Sequence, residues 1–149
     1  MAENDRDRQN ENTVRAAIAG WFNCDLVSFP QYSFVDWLGM RDGDMTALIE
    51  FKEKRTSDLK KYPDVIMDEH KVFKLLTLQD ALKIDAYIFV RMKHGEVLYI
   101  KADAVPQHRI RNIGGTDRPR VEAPEQKAFL VDQSMFRKAG VLSRDREYA

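Results

Sequence analysis

One cysteine, Cys24, stands in a chain of 149 residues. An internal disulfide and a multi-cysteine zinc site are therefore both excluded. A reducing, cytoplasmic setting is the economical expectation. Histidine is scarce as well: His70, His94 and His108 are widely spaced and form no HExxH-type ligand pair. No apolar run approaches the roughly 18 residues a membrane span needs. The opening Met1-Ala2-Glu3-Asn4-Asp5 lacks the basic and apolar regions of a secretory signal. Neither charge sign is in excess, with 24 Lys+Arg against 24 Asp+Glu. That balance argues against a polycation holding nucleic acid by bulk charge, yet it leaves room for local patches of either sign.

What is present suits one compact domain, long enough to bury roughly 68–70% of its unfolded surface without a staple. Residues 1–10 hold no large apolar residue after Met1 and are expected to form a disordered tail, with a single domain over 11–149. Val14, Ala17, Ile18 and Trp21 recur at helical spacing and predict a first helix over 12–22. Residues 31–40 and 45–54 are rich in strand formers and flank the turn signal Arg41-Asp42-Gly43-Asp44, which predicts a hairpin. A polar link over 55–64 follows. A helix over 68–83 comes next, with Asp68 as its N-cap. Strands are expected at 86–92 and 97–101, and a long Gly/Pro/Arg-rich loop at 106–124. A short strand is expected at 128–131, then a short helix capped by Ser134 and ending at Gly140. The fold class is α/β: a central mixed sheet flanked by helices, in the order α-β-β-α-β-β.

The informative stretch runs from Asp36 to Lys52. Glu50 and Lys52 lie two apart on a strand and share a face with Leu48, while Ala47, Ile49 and Phe51 point the other way. Whether Asp36 joins them depends on hairpin register. A plain two-residue Asp42-Gly43 turn sets Asp36 against Ile49, on the wrong face. A three-residue loop, or a bulge, brings Asp36 to the face of Glu50. Two carboxylates there supply hard oxygen ligands for Mg²⁺. A lysine beside them can orient a water or stabilise charge growing on a phosphate.

Strand-borne Asp36, a turn, then Glu50-Phe51-Lys52 on the next strand resembles the PD-(D/E)XK nuclease superfamily. Asp36 matches the isolated motif aspartate and Glu50-Phe51-Lys52 the E-x-K element. Glu11 matches the acid that many members carry at the start of the first helix. The residue before Asp36 is Val35 where the motif name has proline. The resemblance covers roughly residues 11–101. It implies a restriction-endonuclease-like core and a small phage-type or junction-resolvase-like enzyme that hydrolyses DNA phosphodiesters. Mg²⁺, with Mn²⁺ as substitute, would be held by Asp36 and Glu50, with Lys52 and Glu11 as further catalytic groups. It also implies a possible role in repair or recombination, a homodimer, and a bacterial or phage-infected cytoplasm. The other function class is a non-catalytic DNA- or protein-binding module on the same fold.

Basic residues gather beyond the motif. Lys54, Arg55, Lys60 and Lys61 follow it directly, Lys71 lies in the second helix, and Arg109, Arg111, Arg118 and Arg120 fall in the long loop. Beside a nuclease site these would contact DNA phosphates. Each has a plainer reading. Cross-strand charge clusters form without function and contribute only about 0.2–1 kcal/mol. An acid such as Glu11 in a first helical turn is favoured by the helix dipole alone.

Overall fold

The structure, a computed structural model, describes residues 2–28, 35–54, 64–113 and 126–143. Helix α1 spans Ala2–Phe22, so helical backbone extends ten residues ahead of the start that the apolar spacing indicates. Val14 and Ile18, four apart, are its fully buried contacts. Its last carbonyls are met by the Arg41 guanidinium, which donates to Phe22 O (2.7 Å) and Asn23 O (3.3 Å). A cation at that end also suits the helix dipole.

Strands β1 (Asp25–Ser28), β2 (Trp37–Arg41) and β3 (Asp44–Glu53) follow as an antiparallel run. Strand β4 (Asp64–Asp68) leads directly into helix α2 (Glu69–Leu82). Asp68 caps that helix as expected, its Oδ1 accepting the His70 N–H at 3.0 Å. Strands β5 (Asp85–Arg91), β6 (Glu96–Lys101), β7 (Ile110–Ile113), β8 (Gln126–Asp132) and β9 (Arg137–Val141) complete the order. Six strands form one mixed sheet, β1-β2-β3-β5-β6-β9, with β5 parallel to β3. Three form a second sheet, β4-β8-β7.

Alternation along β3 and β5 sends neighbouring side chains to opposite faces. Ile49 and Phe89 pack with Val14, Ile18 and Trp37 on the α1 side. Leu48, Ile88 and Val90 pack on the other side with Val72 and Leu75 of α2 and with Val65, Phe129 and Val131 of the small sheet. The expected α-β-β-α-β-β core is therefore present as a mixed sheet flanked by helices. β1, β4, β7, β8 and β9 are additional to it.

Three expectations change. The link over 55–64 ends in strand β4, where Val65 and Met67 alternate inward and pair with β8. The loop over 106–124 contains β7; residues 114–125 lie outside the described residues. The helix from Ser134 to Gly140 does not form. Asp132 caps a single 3₁₀ turn (Gln133–Met135), accepting the Ser134 N–H at 2.8 Å, and Arg137–Val141 pairs with β6 as strand β9. Gly140 lies flat under Trp21, where a Cβ would come within 2.5 Å of the indole ring. That close approach lets α1 rest on the sheet edge.

Candidate active site

The β2–β3 hairpin decides whether the motif residues meet. Its turn has two residues, Asp42 (φ 52°) and Gly43 (φ 83°), both left-handed, as a type I′ turn requires. Arg41 pairs with Asp44 and Met40 with Met45, which alone would send Asp36 to the wrong face. A bulge then intervenes, and pairing resumes as Gly39–Ala47, Leu38–Leu48 and Trp37–Ile49. Thr46 is the extra residue. Continued by one step, this register sets Asp36 level with Glu50. The loop is the shorter of the two options, and the bulge supplies the missing residue.

Asp36 sits just before β2, exposed, and its Oδ2 accepts the Phe51 N–H at 2.7 Å. A side-chain oxygen thus takes the place of a ladder partner where β2 has ended. The bond fixes the Asp36 carboxylate beside Glu50. Glu50 is 8% exposed, and its Oε2 is buried without a hydrogen-bond partner. Burial raises the Glu50 pKa above the ordinary carboxylate value, and the Asp36 charge adds to the rise. Lys74, Lys71 and the Asp36 backbone amide act in the opposite sense.

Lys52 shares the Glu50 face, and its Nζ donates to the Ile66 carbonyl of β4. Solvent reaches the side chain, yet the protein packed around the ammonium lowers its pKa, helped by the charges of Lys71 and Lys54 and opposed by Asp68. Lys71 and Lys74 of α2 bring their Nζ atoms to 3.9 and 4.0 Å from Glu50 Oε1. Lys74 was not among the sequence candidates; its signal was the three-residue spacing from Lys71 along one helix face.

The remaining candidates divide. Lys54 is anchored to β4, its Nζ donating to Asp64 O at 2.7 Å. Arg109 is engaged by Asp64 in a two-pronged ion pair, both contacts 2.8 Å. It ties the approach to β7 onto β4. Arg111 is exposed on β7. Arg55, Lys60, Lys61, Arg118 and Arg120 lie outside the described residues. Glu11 is exposed on α1, the helix that packs on the opposite face of the sheet. Among the described residues no three His, Cys, Asp or Glu side chains gather around one point, so Glu11 is not grouped with Asp36 and Glu50. Glu53, next on the strand, bonds to the buried Arg91.

Two carboxylates, one with a partnerless buried oxygen, fit a hard divalent cation in the character of their donors. Set against known families, residues 1–139 match the family described as "Phage putative PDDEXK endonuclease". The chain belongs to that family. This endonuclease-family chain also resembles a solved structure, that of Hjc, a Holliday junction resolvase from the archaeal hyperthermophile Archaeoglobus fulgidus. The TM-score is 0.59 at 11% identity, over 90% of this chain and 95% of that one. At that identity the likeness is one of fold, and it gives the restriction-endonuclease-like core. No curated protein matches the sequence. No helix among the described residues is long and apolar enough to cross a membrane.

Proposed function

We propose that this chain is a metal-dependent DNA endonuclease whose site is Asp36, Glu50 and Lys52, acting on branched DNA in repair or recombination. The observation that carries the reading is the buried, partnerless Oε2 of Glu50 beside Asp36 on one sheet face. A buried carboxylate oxygen without a partner costs about 1–3 kcal/mol, and a site for a cation accounts for retaining it. Asp36 and Glu50 would hold Mg²⁺ or Mn²⁺. When bound, such an ion supplies Lewis-acid polarisation of the phosphodiester. Lys52 orients the attacking water and holds the charge that grows on the phosphate. Lys71 and Arg111, both exposed, offer phosphate contacts on the approach. Glu11 would assist only through a water or a second ion.

The branched-substrate reading draws on the fold shared with the Archaeoglobus resolvase, and a pair of copies would serve to cut both strands. Supercoiled plasmid, linear duplex and a synthetic four-way junction, each incubated with the protein, test the proposal. Cleavage with Mg²⁺ or Mn²⁺, strongest on the junction and abolished by EDTA, is the expected outcome. Intact substrates in Mn²⁺ at protein excess would leave a non-catalytic DNA- or protein-binding module.

A further inference from the structure

Glu50 is approached by two cations at once. The Nζ atoms of Lys71 and Lys74 both stand on the Oε1 side, at 3.9 and 4.0 Å, while Oε2 is left bare. Lys71 sits in the first turn of α2, where the helix dipole favours acids and opposes cations, and Lys74 sits in the second. The helix already has its acid there in Glu69 and its cap in Asp68. Neither the cap nor the dipole calls for the two lysines. The Lys74 side chain is 23% exposed and that of Lys71 is 60% exposed. Both keep a path to solvent and are free to turn from Glu50 toward an incoming group.

We propose that Lys71 and Lys74 are positioning residues forming an exchangeable brace: they neutralise Glu50 until a divalent cation takes it, and then turn to the DNA phosphate. The inference rests on the metal reading given above and adds the order of events. With the ion absent, Asp36 and Glu50 are two facing acids, and the lysines hold them together. With the ion present, the lysines would repel it, so the ammonium groups leave Oε1. The phosphate is the anion left for them to meet. The brace therefore weakens metal binding and strengthens DNA binding, two effects of opposite sign from one side chain.

That opposition separates the brace from a merely structural role, which would loosen both. Lys74→Met and Lys74→Arg are compared with the native protein by Mn²⁺ calorimetry at pH 8. DNA anisotropy across a salt series, in Ca²⁺ and in EDTA, is measured alongside, with thermal melting as the check on folding. Removing one positive charge roughly 6 Å from a divalent ion in a wet site should tighten Mn²⁺ binding about three- to tenfold. Lys74→Arg should stay near the native value. In Ca²⁺ the salt slope of DNA binding should fall by about 0.9 for Lys74→Met, the value of one phosphate contact, while in EDTA, with Lys74 held on Glu50, it should stay near native. Native Mn²⁺ binding with unchanged or weaker binding in folded Lys74→Met overturns the brace alone. Absence of Mn²⁺ binding in the native protein overturns the metal reading and the brace with it.

Discussion

Replacing Lys52 by alanine is expected to slow single-turnover DNA cleavage about 10²–10³-fold, the range for removing one positioned charge-stabilising donor. Mn²⁺ affinity should hold or tighten, because the variant loses a cation and no ligand. The split follows from placement. Lys52 lies two residues beyond Glu50 on the same strand face; its ammonium is a cation and no metal ligand, yet it is near enough to reach a phosphate held there. Its Nζ is seated on the Ile66 carbonyl, so β4 holds the ammonium ready at the site. Surrounding protein and two other lysines lower its pKa. The ammonium therefore gives up its proton at lower pH than an ordinary lysine, and a role that needs the charge should fade earlier on the alkaline side. Rates for native protein and Lys52→Ala, measured from pH 6 to 10 in Mn²⁺, check both points. An undiminished rate in the variant would remove Lys52 from the chemistry.

Glu50→Gln is expected to abolish measurable cleavage and Mn²⁺ binding while making the metal-free protein more stable. The gain at pH 7 should be about 1 kcal/mol, at the low end for relieving a buried, partnerless charged oxygen. The sign follows from linkage. Burial and Asp36 raise the folded-state pKa of Glu50 above its unfolded value near 4.5. In the window between the two, the folded protein binds more protons than the unfolded chain, so stability falls as pH rises through the folded pKa. The advantage of the glutamine variant should be present at neutral pH and vanish below about pH 4.5, where Glu50 is protonated in both states. Urea unfolding at pH 4, 5.5 and 7 in EDTA measures it. A variant less stable than native at pH 7 would show that the two lysines more than repay the burial of Glu50.

The chemistry of this site was more legible than the path that builds it. Asp36, Glu50 and Lys52 stand out because acids and a lysine interrupt apolar strands, and Asp68 stands out because a short acid precedes a helical run. The hairpin could be reduced to two registers. The register that reaches Asp36 is neither of them, because the two-residue turn is followed by a bulge at Thr46, which has no local sequence mark. It arises where pairing to β2 and packing on both faces must be met together. Strand β4 was hidden because its five residues run straight into the cap of α2, where turn and strand signals overlap. Ser134 has the look of a helix cap, but Asp132 takes that part for one turn only and β6 claims the rest as a strand. Arg109 is a candidate DNA contact only because it lies in a basic loop beside the motif; its ion pair with Asp64, 45 residues away in the chain, has no local mark. Long-range pairing, not residue chemistry, set the limit in each case.

Manganese anomalous diffraction from a crystal soaked in Mn²⁺ tests the central claim most directly. The predicted result is one peak with an Asp36 oxygen and Glu50 Oε2 each within about 2.0–2.6 Å, the span of hard-cation oxygen ligands. The contrary result is no peak between the two carboxylates at saturating metal, with Glu50 still flanked by Lys71 and Lys74 as it is here.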